Sequence, residues 1–265
     1  MKPAHASALQ PVVSVERSRG WLREWGVMLS LLLLAFYPVL RWMYDRWNAP
    51  DSYTSHGFLV PLISGYLVYA NRAALLKEKR RPARSGLIVL GFGILLFIAS
   101  GLLRVYFTSG FALLICLVGM LAYWGGWNWV RQLWFPLFFL SFMLPLPEIA
   151  IARINLVLKL LVTRVAVFGV DLLGIPVVMQ GAKLRLESGE LVVGDVCSGL
   201  RSLIALIALG VLFAYFYGKK SWLVRGALLG AAAPAALGAN MLRIALNIIF
   251  VHFFGPELLF RPLFT

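Results

Sequence analysis

From Trp25 onward the chain reads as long apolar runs separated by short polar stretches. A helix needs ~20 mostly apolar residues to cross a bilayer, and several runs approach or reach that length. The pattern predicts spans at about 25–44, 57–70, 86–103, 110–124, 129–144 and 198–217, with a further one from about Gly226. The second is short and needs its flanks to reach across. The expected fold is therefore an all-α polytopic membrane protein with about seven transmembrane helices.

Two stretches depart from that pattern. Residues 149–173 are apolar overall yet carry Arg153, Lys159, Arg164 and Asp171. A charge at the centre of a spanning helix costs about 2.5–3.5 kcal/mol on insertion scales. The segment therefore reads as an amphipathic helix lying at the outer interface. Between 175 and 196, alternating apolar and polar residues flank Ser188-Gly189. Alternation around a turn signal predicts a small outer-face β-hairpin that delivers the chain to Cys197.

Composition agrees with a membrane protein: 61% of residues are hydrophobic and the mean hydropathy is +0.84. The net charge of +14 belongs with loops that stay on the cytoplasmic side, not with nucleic acid. The densest basic cluster is the 72–84 loop, with Arg72, Lys77, Lys79, Arg80, Arg81 and Arg84. It is expected to be cytoplasmic, and so is the N-terminus two spans earlier. An interfacial 149–173 then leaves Lys219, Lys220 and Arg225 on the cytoplasmic side and 175–197 on the outer side. Residues 1–24 read as a disordered cytoplasmic tail, and 25–265 as one membrane domain. With Cys116 inside an apolar run, the two cysteines form no disulfide framework.

Candidate chemistry centres on Val196-Cys197-Ser198-Gly199-Leu200-Arg201-Ser202, where the polar segment meets the next apolar run. Free N–H groups at a helix N-terminus favour an anion, and a thiol there is more readily ionised. A lone thiol at a helix end also serves as a small packing residue. Arg243 lies 17 residues beyond Gly226, or ~25 Å of helical rise, near the outer edge of a ~30 Å core. Cys197 reaches the same face by topology. Asn240 and Asn247 flank Arg243 at helical spacing, a polar stripe that turns toward protein or water. Thiolate attack on a carbonyl, with Arg243 holding the developing oxyanion, suits acyl transfer. A third group would come from His56, at the outer mouth of the second span, or His252. On an unbroken helix His252 sits on the face opposite Arg243, since nine residues rotate by ~900°. The candidate catalytic set is thus Cys197, Arg243 and His252. Arg201, Asn240 and His56 are candidate substrate-binding residues. No metal or cofactor is expected.

Several pieces together resemble the exosortase branch of the exosortase/archaeosortase family. They are Ser55-His56-Gly57-Phe58-Leu59-Val60, Pro145-Leu146-Pro147, Gly174-Ile175-Pro176-Val177, Val196-Cys197-Ser198-Gly199-Leu200-Arg201-Ser202 and Ala239-Asn240-Met241-Leu242-Arg243-Ile244. They fall in family order across most of 25–257. The resemblance implies an inner-membrane cysteine transpeptidase with its site on the periplasmic face. Such an enzyme cleaves C-terminal PEP-CTERM sorting signals from membrane-anchored proteins and passes them to a surface acceptor. Cys197 matches the family nucleophile and Arg243 its arginine. The family pattern also places a His shortly after a His-x-x-Gly-Pro-Glu-like stretch, which here is His252 to Glu257. That later His would fall near Phe264, so the resemblance implies either a missing C-terminal segment or a degenerate copy. The rival expectation is a non-catalytic membrane component of polysaccharide export or a small transporter, whose polar residues would line a path.

Overall fold

The computed structural model describes residues 12–50, 52–78, 80–194, 198–217 and 221–255, with side chains from residue 23 onward. Cys197, Phe264 and residues 1–11 lie outside the described residues.

Helix α1 (Val12–Ala35) opens inside the stretch read as a tail and is followed by α2 (Tyr37–Asn48), bent 68° from it. The bend has a cause in the sequence. Pro38 lacks an N–H, and its ring opposes the carbonyl four residues back, so one continuous helix cannot pass Phe36. A short 3-10 helix (Ser55–Phe58) leads into α3 (Leu59–Ala70) and α4 (Arg72–Lys77). Helices α5 (Ser85–Leu102) and α6 (Tyr106–Gly125) form the closest pair. A Cβ at Gly119 would stand 2.5 Å from the Leu90 backbone nitrogen, so glycine permits this approach. Small residues are how membrane helices gain packing contact where lipid is as apolar as leucine.

Helices α7 (Trp127–Gln132) and α8 (Trp134–Phe139) and a second 3-10 helix (Leu140–Met143) replace the single span expected at 129–144. The Pro145-Leu146-Pro147 corner then turns the chain into α9 (Glu148–Asp171), 80° away from the 134–143 segment. Val162, Ala166 and Val170 of α9 pack on Ile244, Ile248 and Val251 of the last helix, α11 (Trp222–Phe254). Arg153 and Arg164 are exposed and Lys159 is half-buried.

The polar segment forms a three-stranded antiparallel sheet, one strand more than expected: β1 (Val178–Gln180), β2 (Lys183–Leu186) and β3 (Gly189–Val192). Met179, Leu184 and Leu191 lie in register. Leu184, Leu186 and Leu191 point into the apolar cluster with α9 and α11. Ser188, at the predicted turn, donates its hydroxyl to the Val251 carbonyl at 2.9 Å, which fixes the sheet to the end of α11. Two long helices, α10 (Leu200–Tyr217) and α11 (Trp222–Phe254), complete the chain.

Among the described residues four helices, α5, α6, α10 and α11, are long and apolar enough to cross a membrane. The number rises to six if each bent pair is one span. The expected count of seven is not reached, for physical reasons. At 12 residues α3 is ~18 Å long, well short of a ~30 Å core. The 129–144 run is divided at Leu133, just ahead of Pro136.

Candidate active site

The approach to α10 is built by three small residues. Ser198 is buried, and its hydroxyl accepts the Leu200 N–H at 3.2 Å. The Gly199 carbonyl accepts both the Leu203 N–H and the Ser202 hydroxyl at 2.9 Å. Gly199 itself has φ +75°, a backbone conformation in which a side chain is strained. A Cβ there would lie 3.0 Å from Cβ and Cγ of Asn240. The turn just after Cys197 is thus seated on Asn240 of α11.

Asn240 is 6% exposed and belongs to the buried stripe of α11 that runs from Ala232 and Ala236 to Ile244 and Ile248. Arg243 is one turn further on, rotated ~60° from Asn240, and it is exposed. Helix α11 begins at Trp222, earlier than expected, so Arg243 stands 243 − 222 = 21 residues along it, or ~31 Å of rise. Asn247 shares the Asn240 face and is half-buried.

Arg201, in the first turn of α10, is exposed and donates to the Pro50 carbonyl at 3.2 Å. That contact ties the start of α10 to the loop leading into the 55–58 helix. His56 sits in that short helix, half-buried, and neither ring nitrogen has a hydrogen-bond partner among the described residues. Burial pushes its pKa below the ordinary 6.5, because the charged form loses solvation; the nearby Phe142 backbone opposes this more weakly.

His252 occupies the last turn of α11, half-buried, with its ring edge-to-face against Phe253 at 5.0 Å. The helix is unbroken from Trp222 to Phe254, so His252 is on the far side from Arg243 and ~13 Å along the axis. The structure therefore joins the turn after Cys197 to Asn240 and Arg201 to Pro50. It keeps His252 apart from Arg243.

Beside Arg201's anchor lies an open cleft of about 430 Å³ between residues 49–50 and 52–54 on one side and the start of α9 on the other. Arg46 and Glu148 pair across it. Asn155 lines it, and sequence reading passed over this residue in favour of its charged neighbours. The available signal was an uncharged amide at helical spacing from Val162 and Ala166.

A family model described as transmembrane exosortase (Exosortase_EpsH) matches residues 47–263. Neither the comparison with curated proteins nor that with solved structures returned a match.

Proposed function

The chain belongs to the transmembrane exosortase family, and on that premise we propose that it is a membrane-embedded cysteine transpeptidase acting on C-terminal sorting signals. The Cys197 thiolate adds to a backbone carbonyl of the signal, and the Arg243 guanidinium holds the resulting oxyanion. Collapse breaks the C–N bond. The C-terminal fragment leaves as an amine after taking up a proton, and a thioester remains on Cys197. A nucleophile of the surface acceptor then attacks the thioester and releases the thiolate.

The observation that carries this reading is the fit of Gly199 onto Asn240. It seats the segment following Cys197 one helical turn from Arg243. A second support is the length of α11. From a cytoplasmic start at Trp222, ~20 residues span the bilayer, which leaves Arg243 at the outer rim and the sheet beyond it. The site then opens on the periplasmic face of the inner membrane. The substrate's apolar segment lies among the helices, and its acidic motif reaches the outer face on the Arg201 side.

The test is processing of a PEP-CTERM-type substrate by the protein and by Cys197→Ala. Thioester trapping on the first and no processing by the second are expected. Normal processing by Cys197→Ala would overturn the reading and favour a non-catalytic membrane component.

A further inference from the structure

The cleft beside Arg201 has the features of a built binding site. Its volume of about 430 Å³ falls within the ~300–1,000 Å³ usual for ligand pockets. Its walls carry the buried hydroxyls of Ser52 and Thr54, with the Thr54 N–H donating to Ser52 Oγ at 3.2 Å. Asn155 is only 6% exposed, yet its Oδ1 accepts no hydrogen bond from any of the described residues. A buried acceptor without a donor is costly, and few are tolerated in a folded chain. A peptide N–H entering the cleft would supply the missing donor. At the rim, Arg46 is held by Glu148, with side chains 40% and 72% exposed. An ion pair so open to solvent is weak, and an incoming carboxylate can exchange for Glu148. The cleft adjoins the chemistry because Pro50, which lines it, also holds Arg201 at the start of α10.

We propose that this cleft binds an extended acidic segment of the peptide substrate, with Asn155 accepting a backbone N–H and Arg46 taking a side-chain carboxylate. The inference rests on the transpeptidase reading above and assigns two specificity-determining residues to it.

Binding can be measured separately from turnover in full-length Cys197→Ala protein. The probes are a fluorescein-labelled peptide with a Pro-Glu-Pro motif, an apolar segment of about 20 residues and a basic end, and its Pro-Gln-Pro counterpart. The Glu peptide should bind more tightly. Adding Asn155→Leu should weaken both peptides ~3–10-fold, the range for one lost hydrogen bond. It should also hold or raise the melting temperature, because leucine removes an unpaired buried amide of similar size. Adding Arg46→Gln should weaken only the Glu peptide and erase the preference. Unchanged affinity in Asn155→Leu, or a fall in affinity together with melting temperature, overturns the role of Asn155. A retained Glu preference in Arg46→Gln overturns the role of Arg46. Either result stands apart from failure of the transpeptidase reading, which shows as processing that survives Cys197→Ala.

Discussion

Gly199→Ala isolates the contact that joins α10 to the Asn240 face. Two costs add. At φ +75° an alanine pays about 1–2 kcal/mol for a left-handed backbone. Its Cβ would also sit 3.0 Å from Cβ and Cγ of Asn240, whose side chain is buried on the α10–α11 seam and has little room to retreat. Overpacking of that kind costs about 1–3 kcal/mol. The sum is about 2–5 kcal/mol, or roughly 4–20 °C of melting temperature at ~2–4 °C per kcal/mol. Two other glycines separate the parts. Gly181 has φ +64° with nothing within 4 Å of its would-be Cβ, so Gly181→Ala should show the backbone cost alone. Gly194 has neither constraint, and Gly194→Ala should stay within ~0.5 kcal/mol. Thermal unfolding in detergent measures all three. Gly199→Ala should be the most damaging and should also lose substrate processing. If it is no worse than Gly181→Ala, the Asn240 contact is not made and the support for placing Cys197 near Arg243 goes with it.

Arg243→Lys should lower the processing rate ~10²–10³-fold, since an ammonium cannot reproduce the planar fork that holds an oxyanion; His252→Ala, on the far face, should do much less, and an equal deficit would mean that α11 breaks after Arg243. Protonating His56 opposes the fold, because its pKa is lowered by burial. Its stabilising contribution is therefore complete above the ordinary 6.5 and is lost as pH falls from there toward the folded value. His56→Gln should flatten the drop in melting temperature below that pH, and an unchanged slope would refute the burial argument. For topology, an impermeant thiol reagent on intact cells should label Ser188→Cys and not Lys77→Cys in a chain without other cysteines; the reverse pattern overturns the orientation.

Much of this fold was legible because apolar runs follow bilayer physics directly. Residues 86–103 and 110–124 predicted α5 and α6 nearly to their ends. Runs containing proline misled. Pro38 and Pro136 interrupt helices inside segments whose hydropathy is continuous, because hydropathy carries no record of the missing N–H. The sheet was half legible: Ser188-Gly189 marked one turn, while Gly181-Ala182 supplied a second from weaker signals. At the site, the Cys-Ser-Gly piece drew attention to Cys197, but the glycine's reason is visible only with Asn240 opposite it. The cleft that Asn155 shares with Arg46 and Glu148 was illegible for the same reason. Its walls come from segments about a hundred residues apart in the chain, and helical periodicity reports only neighbours three and four positions apart.

The position of the site follows from how the apolar residues are shared out. One core gathers Phe36, Met43, Val60, Cys116, Phe135 and Phe139 from the first half of the chain. A second gathers Val162, Leu184, Ile244, Ile248 and others from α9, the sheet and α11. Helix α10 serves both, through Tyr215 stacked on Phe135 at 3.7 Å and through its packing along α11. Each core closes by apolar contact, so the join between them is one place where buried polar groups can be kept without breaking either. Ser198 and Asn240 lie at the start of α10, and Asn155, Ser52 and Thr54 lie around the adjoining cleft. Buried polar groups lower stability unless paired; Ser64, Ser100, Ser109 and Thr163 are buried elsewhere, and the five at the join lie beside both the proposed acyl-transfer site and the proposed substrate cleft.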